Sequence, residues 1–208
     1  MKLSIIIPVF NEIEYIKEFT NNLNNTFINE SVEYVFIDDG SNDGSKEWLE
    51  EYIKKQPAEN NKFISLPKNT GKGNALHEGL KISKGDYVLF QDADLELDTK
   101  DSLEMYKIIK NDKKIKCLFG SRYLTGKLKS NKNFINEFIV RINTLIFNIL
   151  YLQSLSDVHC GTKIVSREVI ENIQLTIKDF GFEIDIASQI AKNNFDIFEY
   201  GISYFSRT

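Results

Sequence analysis

Asp92, Asp94 and Glu96 stand at i, i+2 and i+4 in the run Gln91-Asp92-Ala93-Asp94-Leu95-Glu96. In extended chain that spacing turns alternate side chains the same way, so their oxygens can be aimed at one point. Hard divalent cations such as Mg²⁺ or Mn²⁺ take oxygen ligands, usually one or two carboxylates completed by substrate phosphates. The same letters also suit an acidic turn leading into a helix capped by Asp98 or Thr99. The place of the run, directly after the apolar stretch Tyr87–Phe90, favours the cation. Zinc is disfavoured, because His77 and His159 are the only histidines and neither cysteine shares a ligand spacing with them.

Other acidic or glycine-rich turns also follow apolar runs. Asp38-Asp39-Gly40-Ser41 reads equally as a plain turn and as a carboxylate accepting from a base N–H or a ribose hydroxyl. Glu12 suits a helix start, where the dipole favours an acid. In Asn69-Thr70-Gly71-Lys72-Gly73-Asn74 two glycines flank a lysine ahead of a helix, but the P-loop spacing is absent. A flexible turn with a solvated lysine is the plainer reading of it. Backbone N–H groups and a cation near an anion are the other.

The elements that must position these groups alternate along the first half. Strands are predicted over 3–10, 32–37, 62–66, 86–91 and from 117. Helices are predicted over 11–25, 45–55, 74–82 and 103–109. Strands alternating with such helices imply right-handed crossovers and a mostly parallel sheet with helices on both faces. Ligands of such sheets bind at the carboxyl ends of the strands, where all the acidic turns fall. Carboxylates that close to one another require a cation among them. The second half is less regular. A lysine-rich loop at 127–132 precedes a long apolar helix over 133–152, followed by a strand at 162–166, a helix at 183–192 and a last strand at 196–204.

Length and composition fit this α/β reading. The chain has 208 residues, 42% hydrophobic and 27% charged, and a net charge of −4. One domain is expected, with a half at 1–123 and a half at 124–208. The acidic balance disfavours nucleic acid as a partner. Two cysteines make no disulfide framework, and no apolar run is long enough to span a bilayer. A cytoplasmic protein is expected.

Taken in order, IIIPVFNE (5–12), FIDDGSNDGS (36–45), NTGKGNAL (69–76), VLFQDADLE (88–96), FGSRY (119–123), DVHCGTKIVSREV (157–169), GFEIDIA (181–187) and YGISYFSRT (200–208) resemble the family 2 glycosyltransferases. The later segments resemble the branch of dolichol-phosphate mannose synthases and polyprenyl-phosphate glycosyltransferases. The resemblance implies the GT-A fold, a Rossmann-like nucleotide-sugar-binding domain. It places Pro8, Phe10, Glu12 and Asp39 around the nucleotide, with Lys72, Asp92 and Ala93 beside it. Asp92, Asp94 and Glu96 fall where the family holds a metal. Arg122 and Arg207 match arginines expected near donor or acceptor phosphates. Glu183 and Asp185 fall where other members carry a catalytic carboxylate. Phe10 stands where the family often has tyrosine, and Thr162 where relatives often have phenylalanine.

The reaction so implied moves a sugar from a UDP- or GDP-sugar to an acceptor by one inverting displacement. A lipid-phosphate acceptor, polyprenyl or dolichyl, needs no strong base. A hydroxyl of a cell-surface glycan does, and Asp157 and Asp185 are the candidates. The apolar stripe on the 133–152 helix suits core packing, a homodimer contact, or a peripheral membrane contact helped by Lys127, Lys129 and Lys132 at the cytoplasmic face. A nucleotidyltransferase, and a nucleotide-sugar-binding protein without turnover, are the competing readings.

Overall fold

The computed structural model describes residues 1–57, 59–124, 128–129, 134–179 and 181–205. Arg207, Lys127 and Lys132 lie outside the described residues. The first strand, β1 (Leu3–Val9), is an almost unbroken apolar run, and most of it is inaccessible to water. Such runs suit a parallel strand covered on both faces. There follow α1 (Ile16–Thr26), β2 (Val32–Asp38), α2 (Ser45–Lys54), β3 (Asn61–Ser65), α3 (Lys72–Ile82), β4 (Tyr87–Phe90), α4 (Thr99–Asn111) and β5 (Cys117–Ser121). The second half gives β6 (Leu128–Lys129), α5 (Phe134–Tyr151), β7 (Lys163–Ser166), α6 (Arg167–Asn172), α7 (Phe182–Lys192), β8 (Phe198–Gly201) and β9 (Tyr204–Phe205).

Among the described residues, seven strands make one sheet in the order β3-β2-β1-β4-β7-β5-β8, and β6 pairs with β9 apart from it. Every pairing in the large sheet is parallel except those of β7, which runs antiparallel to β4 and β5. The expected fold class, an α/β GT-A architecture with a mostly parallel sheet, is therefore what the chain adopts. Alternate residues of β1 feed two cores. Ile5 and Ile7 join Phe19 of α1, Leu49 of α2 and Tyr106 of α4. Ile6 joins Leu76 of α3, Phe147 of α5 and Ile186 of α7 on the other face. The reversal at β7 brings the loop before it to the edge where β1, β2, β4 and β5 end.

Several boundaries differ from expectation, each for a local reason. The first helix begins at Ile16, not at Asn11–Glu12. Asn11 is left-handed at φ 56°, and its amide donates to Ser41 Oγ. The last strand breaks into β8 and β9 where Ile202 turns into the core. The short helix α6, which the sequence reading missed, is capped by Ser166, whose Oγ accepts from Val169 N.

The long helix α5 is only partly a core element. Phe147 is buried, yet Phe138, Leu145, Ile149 and Leu150 are each more than half exposed. Among the described residues no helix is long and apolar enough to cross a membrane.

Candidate active site

The rim is assembled by turns that use their polar side chains on one another. Glu12 N donates to Ser45 Oγ, Ile13 N to Asp43 Oδ2, and Asn42 N to Asn11 Oδ1 (2.9, 3.0 and 2.9 Å). The β1 and β2 ends are thereby stitched together. Asp38 is buried and structural, accepting from Ser41 N and Ser65 Oγ. Asp39 reaches across to the next loop instead. Its Oδ1 accepts from Thr70 N and Thr70 Oγ1, and its Oδ2 from Gly71 N, all at 2.9 Å. The turn reading of Asp38-Asp39-Gly40-Ser41 holds, and Asp39, besides fixing the glycine loop, lines a hollow.

That loop does not cradle an anion with the N–H groups whose partners are seen. Gly71 N goes to Asp39, and Asn74 N goes to the carbonyl of Lys178 at 2.8 Å. The cation of the loop is the useful part. Lys72 Nζ lies 2.7 and 2.9 Å from the two Asp92 oxygens and 2.7 Å from Glu183 Oε1. Burial alone would lower the lysine pKa, but the two carboxylates outweigh it and hold the ammonium above the ordinary lysine range. Here is the cation that a rim of acids requires.

Past β4, the backbone of Leu95 is left-handed at φ 60°. For a leucine this costs about 1–2 kcal/mol. It turns the chain so that Asp94 and Glu96 both face the same hollow, Asp94 Oδ1 accepting from Glu96 N at 3.0 Å. Tyr204 OH donates to Glu96 Oε2 at 3.1 Å. Asp98 caps α4 by accepting from Lys100 N, so the capping role foreseen for this stretch also holds.

After β5, Arg122 makes a two-pronged pair with Asp157, Nε to Oδ2 at 2.7 Å and Nη2 to Oδ1 at 2.9 Å. Asp157 is fully buried behind the arginine. Its loop is held from two sides. Glu199 accepts from Ser156 N and Asp157 N, and the buried Lys163 donates to the carbonyls of Val158 and Cys160. Gly161 brings this loop against the acids, since a Cβ there would run into Asp92 Oδ2. Burial lowers the pKa of His159 in the same loop, leaving it neutral near pH 7.

Two adjoining hollows result. One of about 230 Å³ is lined by Pro8, Phe10, Glu12, Asp39 and Ala93. The other, of about 240 Å³, is lined by Glu96, Arg122, His159, Gly161, Glu183 and Tyr204. Lys72, Asp92 and Asp94 border both. Nearly all the residues singled out in the sequence thus meet at one edge of the sheet.

Asp185 does not line either hollow. Its Oδ2 accepts from Thr176 N and Ile177 N at 2.8 and 3.0 Å. The neighbouring acid that reaches the site is Glu183, which the resemblance named beside Asp185 but which is not one of the two candidate bases, Asp157 and Asp185. Glu183 and Asp185 lie on opposite flanks of the buried Phe182–Ile186–Ile190 stripe of α7, as a two-residue helical step requires. His159, Gly161 and Tyr204 also line the far hollow and were missed, because nothing local marks them.

Among the described residues, no three His, Cys, Asp or Glu side chains form a ready-made metal cage. The donor set still fits a hard cation that keeps few protein ligands. Asp92, Asp94 and Glu96 offer oxygens only and line one hollow together.

Residues 4–174 match the sequence profile of glycosyl transferase family 2. Over 97% of its length the chain is 30% identical to a dolichyl-phosphate β-glucosyltransferase of Dictyostelium discoideum, covering 66% of that protein. It is also 30% identical, over 88% of its length, to a dolichol-phosphate mannosyltransferase of Pyrococcus furiosus, of which it covers 51%. The chain therefore spans less than two thirds of either relative. The fold superposes on the UDP complex of glucosyl-3-phosphoglycerate synthase from Mycobacterium tuberculosis with a TM-score of 0.76 at 19% identity, covering all of this chain and 72% of that one. A second structure of that enzyme, holding Mn²⁺, UDP and phosphoglyceric acid, superposes with a TM-score of 0.74 at 18% identity. The profile match covers most of the strands and turns that build the rim, so the chain belongs to glycosyl transferase family 2.

Proposed function

We propose that this chain transfers a sugar from a nucleoside-diphosphate sugar to a lipid phosphate, with inversion and with help from a divalent cation. The observation that carries the reading is the pair of adjoining hollows divided by Lys72, Asp92 and Asp94. The hollow at Pro8, Phe10 and Asp39 suits a nucleoside, with the Phe10 ring (42% exposed) open to stacking on a base. The far hollow, walled by Arg122, suits the sugar and the acceptor phosphate.

Asp92, Asp94 and Glu96 are the residues that would hold Mg²⁺ or Mn²⁺. A bound cation supplies Lewis-acid neutralisation of the charge on the departing diphosphate. The chain's own residues do the rest. Lys72 keeps its proton and adds a fixed positive charge where the diphosphate passes between the hollows. Arg122, clamped by Asp157, presents an oriented guanidinium toward an acceptor phosphate. A lipid phosphate oxygen is already anionic, so one in-line attack opposite the leaving group needs no side-chain base and inverts the anomeric carbon. That fits an Asp157 spent on Arg122 and an Asp185 turned away. The acceptors in the names of the two dolichol relatives support the same choice. The exposed apolar face of α5 is read as a peripheral contact with the membrane that holds such a lipid.

The test is binding of UDP-, GDP- and dTDP-sugars with and without Mn²⁺, followed by addition of a short polyprenyl phosphate. Metal-dependent binding of one donor, lost in Asp94→Ala, and nucleoside diphosphate released only when the lipid phosphate is added, is the expected result. Release with a glycan hydroxyl instead would replace the acceptor. Binding without release by any acceptor would leave a non-catalytic binding protein, and no binding would end the transferase reading.

A further inference from the structure

Asp185 is 8% exposed and sits in the first turn of α7, yet it is aimed away from both hollows. It accepts the consecutive amides of Thr176 and Ile177 on a single oxygen. The residues after them form a strap that lies directly on the start of α3. Lys178 O accepts from Asn74 N at 2.8 Å. At Gly71, which has φ 97°, a Cβ would lie 2.5 Å from Lys178 O, and at Gly73 it would lie 2.6 Å from Ile177 O. These two glycines are therefore required for the strap to approach.

From the opposite side, Asp39 grips Thr70 and Gly71, and Asn74 Nδ2 donates to Thr70 Oγ1 at 2.8 Å. The loop is thus held between Asp39 and the strap, with Lys72 at its centre. We propose that Asp185 is a positioning residue: its carboxylate clasps the 176–178 strap onto the glycine-flanked loop, and the strap seats Lys72 between Asp92 and Glu183. The two acids of α7 then divide the work, Glu183 meeting the ammonium directly and Asp185 fixing the backbone that delivers it. The consequence for turnover rests on the transferase reading above, but the clasp itself does not.

The test separates a clasp from a base. Asp185→Asn keeps an acceptor oxygen for both amides but abolishes any capacity to take a proton. Asp185→Ala removes both. Hydrogen exchange at the amides of Asn74, Thr176 and Ile177 is followed in the donor-free protein, together with donor KM and kcat. For a clasp, Asp185→Asn behaves as wild type. Asp185→Ala exchanges faster at all three amides and raises donor KM, with kcat/KM falling by up to about a hundredfold, the scale of a misplaced reacting group. Turnover lost equally in both variants, with exchange and KM unchanged, makes Asp185 a base and overturns the proposal. Unchanged exchange in Asp185→Ala overturns it as well. Should Asp185→Ala not fold, Gly73→Ala pushes on the strap from the other side with Asp185 intact, and faster exchange at the same amides is required there. A wild type that turns over no sugar nucleotide defeats the transferase reading, while the exchange comparison still decides the clasp.

Discussion

Arg122 and Asp157 are two halves of one device, and their chemistry decides what substitutions cost. Asp157 is inaccessible, and the guanidinium is the cation paired with its carboxylate. Arg122→Met should leave that carboxylate buried and uncompensated, lowering stability by about 3–5 kcal/mol in urea unfolding. Arg122→Lys keeps a cation but loses the planar fork. It should unfold much closer to wild type yet lose most transferase activity. An Arg122→Lys protein as active as wild type would show that the fork does not orient substrate. Arg122 could be picked out by its place in FGSRY and Asp157 by its place before Cys160-Gly161, but not that they meet, since 35 residues separate them.

At the scale of elements, glycine and one buried acid hold the layers together. Gly79 of α3 lies so close to β1 that an added Cβ would strike Ile6 Cγ2. Gly79→Ala should destabilise by about 1–3 kcal/mol through overpacking, despite alanine's better helix propensity, as a shift in denaturant midpoint reports. Glu33 of β2 ties three neighbours together: it accepts from Ser4 Oγ and Lys84 N and pairs with Lys62. Burial alone would raise its pKa, but these donors hold it down at about 2, against an ordinary value of 4.5. A carboxyl depressed in the folded state contributes stability above its unfolded pKa and loses it as pH falls toward the folded one. The excess stability of wild type over Glu33→Gln should therefore be full above pH 4.5 and shrink between 4.5 and about 2. A constant difference across that window would show that Glu33 acts by packing alone. The alternation of strands and helices was legible because apolar periodicity is local. The start of α1 was not, because it depends on the left-handed Asn11 and its contacts with the β2 turn.

For the molecule as a whole, α5 is the helix that buries one side and leaves an apolar face exposed. Thr144 and Phe147 bury one side of it, while Leu145 and Ile149 stand out on another. A wide exposed apolar helix face on an otherwise ordinary surface marks an interaction site. Flotation with vesicles should carry the wild-type protein, and Leu145→Glu with Ile149→Glu should abolish flotation while leaving donor binding intact. Wild-type protein that stays in solution but sediments as a dimer would move α5 to a subunit contact.

The sequence by itself determined the α/β alternation, the family, and the acids and lysine at the strand ends, because each is written in short contiguous segments whose meaning is local. It also contained both acids of α7, but their division was invisible: which of Glu183 and Asp185 meets Lys72 depends on how α7 rolls against the sheet. Only the tertiary structure decided that, as it decided that the glycines beside Lys72 admit a backbone strap and that Asp157 clamps Arg122. These are contacts between segments from about 20 to more than 100 residues apart. Burial then selects among the partners that such closures bring together, since a buried charge persists only where an opposite charge or a hydrogen bond meets it.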